Sequence, residues 1–557
     1  MAIERRILMK TFIAMKRTRK KVNKEATKHL IHFLMVFLGI GISNMILFPM
    51  CSFANSYEPP SQRIVLNIRD FGAKGDAQTI NTSYIQAAID KANKLANDGP
   101  LIQKSVQVII PAGRFLTGPI KLKSNVTLHL LKGAVILGTT NRIDYGEKNL
   151  HPLISANNAT NVAIIGSGCI DGQGAELVKN LISLLRKGIL SDNFWRVKRP
   201  GENNRPMIIG MKGCKKIKIV GISIKNSACW VQDYDHCEDV LIDSIQVVST
   251  DYWNNDGIDI VNCKNFTLSN SFFDVADDGI CLKSEGDSGI CENVFVTNCK
   301  IRSSASGFKL GTGSYGGFKN IYVKGLIIYD TYRTAISLET VDGASLENVL
   351  VEDVKATNVG GAFFIRLGHR NQDNKYSTIK GVVIRNLVAT ISSYKPDIGY
   401  PFEGPKLSYI HNIFPSSITG IPGHDIQDVQ LENIKIVYEG IDQKSQLASS
   451  YLNLNNVPEN EAGYPEFSMF GDLPAWGLFI RHCNGLKLRN LTLINKQQVL
   501  RPAIVLGGTS NVELKKIGIE HANFLPIIFD DHSEKFSLYD IQFAKDVDSS
   551  RAIMIKR

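Results

Sequence analysis

The chain has no Cys-x-x-Cys pair and no tight cluster of cysteine with histidine, so a structural zinc site is not expected. Its acids show no EF-hand spacing. Helical periodicity is scarce too: residues 84–97, YIQAAIDKANKLAN, form the one clear amphipathic helix. Basic charge is missing from the part that would fold. Ten Lys or Arg lie in residues 1–30 against Glu4 and Glu25, which is +8 of the formal +11 and leaves about +3 for everything else. A nucleic-acid footprint needs its basic charge on the folded surface, so nucleic acid is not an expected partner.

An uncharged run, LIHFLMVFLGIGISNMILFPMCSFANS, comes directly after the basic stretch. A positive lead, an apolar core and small residues before a cut describe a secretory signal, with Ser52 and Ala54 fitting a cleavage after Ala54. We expect residues 1–54 to be a signal peptide with a long basic lead, whose true start is a later Met such as Met9 or Met15. Residues 55–557 are then one domain of an exported, periplasmic or extracellular protein with no stable membrane association after cleavage. The run is also long enough to span a bilayer, so an uncleaved anchor is the other reading. Cys51 follows Phe-Pro-Met, a poor lipidation signal. The nine remaining cysteines mostly flank short repeated segments, where buried free thiols serve as small apolar residues. A disulfide between neighbouring coils stays open.

From residue 160 onward one pattern recurs: a polar or Asn-like residue, alternating apolar residues, then an outward turn. KKIKIVGISI, EDVLIDSIQV, KNFTLSNSFF, ENVFVTNCKI, KNIYVKGLII and ENVLVEDVKA are examples. With Ile217, Val240, Phe266, Val294, Ile321 and Val349 as one equivalent position, the steps are 23, 26, 28, 27 and 28 residues. Alternation of period two at that repeat length means strands stacked into a solenoid. The fold class is therefore all-β, a right-handed parallel β-helix, with the 84–97 helix capping its N-terminal end. The pattern lapses at 172–205, 390–425 and 440–475, which read as long loops leaving the solenoid.

A second pattern lies inside the repeat. Gly257-Ile258-Asp259-Ile260-Val261, Gly279-Ile280-Cys281-Leu282-Lys283, Gly307-Phe308-Lys309-Leu310-Gly311, Ala335-Ile336-Ser337-Leu338-Glu339 and Ala362-Phe363-Phe364-Ile365-Arg366 start 22, 28, 28 and 27 residues apart. Alternate apolar residues fill the core, so Asp259, Lys283, Lys309, Glu339 and Arg366 face outward on one column, rungs about 4.8 Å apart. Acids at one end and bases along the rest suit a groove for a polar chain better than a solvated face does.

Asp256, in NNDGIDI, precedes the first of these strands, and the adjacent pair Asp277 and Asp278, in DVADDGICLKS, precedes the second. About one coil separates them, so three carboxylates converge. Their mutual repulsion favours one keeping its proton. A protonated acid beside ionised partners is what glycosidic cleavage needs, with carboxyls roughly 6.5–9.5 Å apart for an inverting reaction. The competing use of clustered acids is Ca²⁺ binding.

These segments, with RPMIIGMKGCKKIKIVGISIKNSACW and the leading IRDFGAKGD, IQAAIDKA and PAGRFLTGPIKLKSNVTLHL, resemble glycoside hydrolase family 28, the polygalacturonase-like β-helix enzymes, from about Ile64 to Phe543. The resemblance implies an inverting hydrolase of pectic polysaccharide or oligosaccharide, galacturonan or rhamnogalacturonan in type, with no cofactor and no metal. Asp277 would be the general acid, and Asp256 and Asp278 would hold the water. Asn254-Asn255-Asp256 matches the family's Asn-x-Asp, which makes Asn254 a binding candidate. Two motifs depart. The Gly-His-Gly position falls on Ala305-Ser306-Gly307, and the Arg-Ile-Lys position on Ser337-Leu338-Glu339. Lys309, Arg366 and Arg370 are then the candidates for an acidic sugar, and Glu339 for sugar hydroxyls. His369 and His482 are weaker candidates, since a lone His at a strand end is usually structural. A polysaccharide lyase on the same fold, using Lys283, Lys309 or Arg366, and a non-catalytic carbohydrate-binding solenoid are the other readings.

Overall fold

The computed structural model describes residues 64–556 apart from 99–104, 148, 197, 287–288, 402–413, 441–451, 498, 521–525 and 544–548. The expected signal segment lies outside the described residues. Gln62–Arg557 is one compact unit.

The unit is a right-handed parallel β-helix. Its named strands pair with parallel neighbours, and the register follows the repeat read from the sequence. Ile217 pairs with Val240, Val240 with Phe266, Phe266 with Val294, Val294 with Ile321 and Ile321 with Val349. Each of these side chains is buried, so one apolar file runs through the interior, coil upon coil. The core is thus built by repetition of one contact, which is why substituting any rung affects chiefly its two neighbours.

The polar residue that opens each repeat has its own physical reason. Asn265, Asn293, Asn320 and Asn348 all adopt left-handed backbone, φ 53° to 57°. Asn tolerates that region better than other non-glycine residues. Each amide then donates to the side-chain carbonyl of the coil before, Asn293 to Asn265, Asn320 to Asn293 and Asn348 to Asn320, at 3.1 to 3.2 Å. Cys214, Cys237, Cys263 and Cys291 occupy a second equivalent position, one residue before the paired Lys215, Glu238, Lys264 and Glu292. All four are buried free thiols, and none of the nine cysteines is in a disulfide.

The helix Thr82–Asn97 forms where expected, burying Ile85, Ala88, Ile89, Ala92 and Ala96 against the first strands, Val106–Ile110 among them. Two of the three expected loops contain a helix or a strand among the described residues, and the third a single 3-10 turn, Leu454–Asn456. Gly174–Arg186 is a second helix, with Leu177, Val178, Leu181 and Leu185 buried. Ser416–Thr419 is a full rung, between Phe364–Arg366 on one side and Leu478–Arg481 on the other. Its serines hide the alternation that marks the other rungs. No helix of the described residues is long and apolar enough to cross a membrane.

Candidate active site

The strands Ile258–Val261, Ile280–Ser284, Phe308–Ser314 and Ile327–Thr340 lie side by side, with Ile258, Ile280, Phe308 and Ile336 in register. The turn before each strand carries the chemistry. Gly257 N donates to Asp278 O, Gly279 N to Ser306 O, and Gly307 N to Thr334 O, so Asp256, Asp278, Ser306 and Thr334 stack. Glycine is required at 257 and 279, because an added Cβ would lie 2.5 to 2.6 Å from the next coil's carbonyl.

The five outward charges form two files, not one column. Register puts Asp259, Cys281, Lys309 and Ser337 in one, while Lys283 continues from Val261, and Glu339 and Arg366 pair with each other, in a second. Two residues along a strand share a face, so both files look the same way. All five residues are buried, with exposures of 9% or less.

Asp256, Asp277 and Asp278 converge as the stacking requires: one oxygen of each lies within 4.8 Å of the others. Their surroundings divide them. Asp278 accepts from Ser306 N at 2.9 Å and from Lys309 Nζ at 3.0 Å. Burial alone would raise it, but Lys309 and Arg333 hold it below the ordinary carboxylate range. Asp277 accepts only from Asp278 N, at 3.0 Å, and pairs with no cation among the described residues; burial, then Asp256 and Asp278, push it well above that range. Asp256 is pushed up to about 6 by burial, against the pull of Lys283, whose Nζ is 3.5 Å away. One carboxyl therefore keeps its proton beside another that has lost it.

A second acidic group lies one coil toward the N-terminus. Asp259 is fully buried and bonded to Lys283, which also sits 3.6 Å above the centre of the Trp230 ring. Burial raises Asp259 well above its usual range and Asp233, its register partner, to about 7. A cleft of about 290 Å³ opens beside Trp230, lined also by Leu150, Pro152, Glu202, Arg205 and Met207. The acids that cluster here face the ammonium groups of Lys283 and Lys309, which supply their counter-charge without an ion.

The two departures from the family motifs are now concrete. Ser306, at the histidine position, contributes its backbone N–H to Asp278. Glu339, at the lysine position, accepts from Ser337 Oγ at 2.6 Å and is pushed up to about 7 by burial. Its Oε2 is buried without a hydrogen bond, 4.0 Å from Lys309 Nζ.

A profile of the glycosyl hydrolases family 28 matches residues 102–393. The chain belongs to glycosyl hydrolases family 28. It is 30% identical over 259 residues to an exo-poly-alpha-D-galacturonosidase of Dickeya chrysanthemi, a match covering 39% of this chain and 41% of that protein. A probable polygalacturonase of Vitis vinifera is 24% identical over 67% of this chain and 70% of its own length. The hyperthermoactive exopolygalacturonase of Thermotoga maritima superposes with TM-score 0.52 at 26% identity, covering 67% of this chain and 87% of that one. The family 28 exopolygalacturonase of Yersinia enterocolitica, 18% identical over 81% of this chain and 79% of its own, shares the fold with TM-score 0.58.

Within this family 28 site, the structure brings Asp256, Asp277, Asp278, Lys283, Asp259, Lys309 and Glu339 together. Three other candidates have their polar groups engaged by the protein itself. Arg366, 0% exposed, donates to the carbonyls of Gly420, Glu459 and Asn460. Arg370 pairs with Asp342, two bonds of 2.9 Å. Asn254 has φ 55°, and its side-chain oxygen accepts from Arg199 and Arg205 at 2.6 and 2.7 Å. His482 bonds Glu459, and His369 stacks on Tyr376. Sequence reasoning passed over Arg199, Arg205, Trp230 and Arg333. The first two stand in the 172–205 segment, read as a loop. Trp230 was within reach, since it stands one register step before Asp256 (Asp259 pairs with Asp233).

Proposed function

We propose that the protein is an exported hydrolase that cleaves glycosidic bonds of pectic polysaccharide through Asp277 as acid and Asp256 with Asp278 as base. The observation that carries this is the asymmetry of the adjacent pair: Asp278 is bonded to Lys309 Nζ and Ser306 N, while Asp277 pairs with no cation among the described residues. Asp277 gives its proton to the glycosidic oxygen as that bond breaks. A water held by Asp256 and Asp278 attacks the sugar carbon and leaves its proton on the base. Proton exchange with solvent then restores both groups. General acid–base assistance of this kind supplies about 10²–10⁴-fold per group.

The resemblance implies inversion. The nearest oxygens, within 4.8 Å, are closer than the roughly 6.5–9.5 Å an inverting pair leaves for its water. The anomer released, read by NMR within the first turnovers, decides the stereochemistry. We also infer chain-end attack. The segment around residues 454–477 is tied across the C-terminal rungs of the face by Arg366 and by Arg481, which donates to Val457 O and Pro458 O. A blocked groove admits an end, not a passing chain.

The test is product analysis on pectic oligosaccharides with wild type and Asp277→Asn. New reducing ends from wild type, absent with the variant while binding persists, support the hydrolase. An unsaturated, ultraviolet-absorbing product that chelator abolishes would make it a lyase. Binding without any turnover would make it a carbohydrate-binding solenoid.

A further inference from the structure

Two coils beyond Asp277, on the same edge of the groove, stands a cation that no described residue neutralises by contact. Arg333 N donates to Ala305 O at 2.9 Å, while Ser304 N donates to Val275 O, so Asp277, Ala305 and Arg333 succeed one another at equivalent turns. Rung spacing places the two ends of that series about 10 Å apart. The residue between them, Ala305, carries only a methyl group.

The Arg333 side chain is 6% exposed, and its Nε is buried without a hydrogen-bond partner. Among the described residues its guanidinium makes no hydrogen bond and no ion pair. Its guanidinium lies 5.9 Å from the exposed ring of Tyr464, which places it at the groove and not in the core. An arginine sequestered in this way is costly unless a partner arrives to complete it. The other cations of the face are committed: Lys309 to Asp278, Lys283 to Asp259, Arg366 to backbone carbonyls, Arg370 to Asp342. The exposed ring of Tyr464 lies 5.8 to 6.0 Å from the charges of Lys309, Arg333 and Arg370, and offers a flat face beside the vacant donors.

We infer that Arg333 is the specificity-determining residue for an acidic sugar, binding the carboxylate of a hexuronate ring that packs against Tyr464, next to the scissile bond. A planar guanidinium with unused N–H groups matches a carboxylate in two parallel bonds, which an ammonium does not. The requirement for charge is met from the turn before the strand, four residues ahead of Ser337, where the family's arginine would stand. The inference rests on the hydrolase reading for the position of the scissile bond, and on Arg333 alone for the acidic preference.

The experiment uses the full chain, an oligogalacturonide and the same oligosaccharide with its carboxylates reduced to primary alcohols. Wild type should favour the acidic form by about 100-fold in kcat/KM. Arg333→Met should lose that factor on the acidic form, mainly through KM, so that the ratio of kcat/KM between the two forms falls to near one, whatever loss of kcat both forms share through Asp278. Arg333→Lys should recover part of the loss. Because the guanidinium has no partner to forfeit, Arg333→Met should melt no lower than wild type, which separates recognition from folding. Equal wild-type rates on both forms, or equal losses by Arg333→Met on both, overturn the assignment. If wild type cleaves neither, the hydrolase reading fails, and calorimetric binding of the two oligosaccharides decides for Arg333: equal affinities overturn it.

Discussion

Lys309 Nζ stands 3.0 Å from Asp278 Oδ2, one coil away, and both groups are buried. This pair does most to set the protonation pattern of the site, because without it only Arg333 and the Ser306 N–H would oppose burial at Asp278. Lys309→Met should therefore lower kcat about 100-fold. The acid limb of its pH profile should move to higher pH, since Asp278 would then hold its proton longer. A loss of rate with an unmoved limb would show that the lysine serves only to pack the rung.

Asp256 titrates near the working range. With its carboxyl pushed up to about 6, it carries a proton below that pH and cannot accept one from water. The rate should fall as pH drops through about 6. Asp256→Asn should abolish this limb together with most of the activity. Initial rates between pH 4 and 8 on one oligosaccharide check it.

Glu352 tests the scaffold apart from the site. It accepts from Tyr322 OH at 2.6 Å, Lys324 at 2.9 Å and Arg385 Nε at 2.6 Å, joining three coils. Burial opposes ionisation, but these partners hold its carboxyl down at about 2, against 4.5 for the free side chain. A depressed carboxyl stabilises the fold above its unfolded value and loses that contribution as pH falls from about 4.5 toward 2. Glu352→Gln should cost about 1–3 kcal/mol near neutrality, with the difference from wild type shrinking in acid, as denaturant melts at pH 7 and pH 3 would show.

Arg366 pins the covering segment through the carbonyls of Glu459 and Asn460, and it also holds that of Gly420. Arg366→Met leaves those carbonyls buried and unbonded, at a cost of about 1–3 kcal/mol each where water cannot replace the donor. The segment should become protease-sensitive while the solenoid persists. Polymer viscosity should then fall faster per bond cleaved than with wild type, the signature of internal attack. An unchanged viscosity curve would remove the segment from the account of chain-end selectivity.

The solenoid was legible because its period is carried by single equivalent positions: Ile217 to Val349 read as a series and pair as one. The carboxylate trio was legible for the same reason. Legibility failed where side chains meet across distant sequence. Arg366 looked like a groove cation, and only the return of residues 459–460, more than 90 positions later, shows what its donors hold. Arg333 carried no signal of its own, since its lack of a partner is a property of everything around it. The two files of charge merged into one on paper because Lys283 and Asp259 share a face two residues apart.

The stacking of the groove by coils has an evolutionary corollary. In the mechanism proposed above, proton transfer is housed in the turns at 256 and 277–278, while the residues that would meet the flanking sugar belong to the turn at 333 and to the covering segment. Each turn is held mostly by its immediate neighbours. A lineage can then trade the sugar it recognises, one coil at a time, and keep its bond-breaking apparatus unaltered, much as a lock is re-keyed without replacing the bolt.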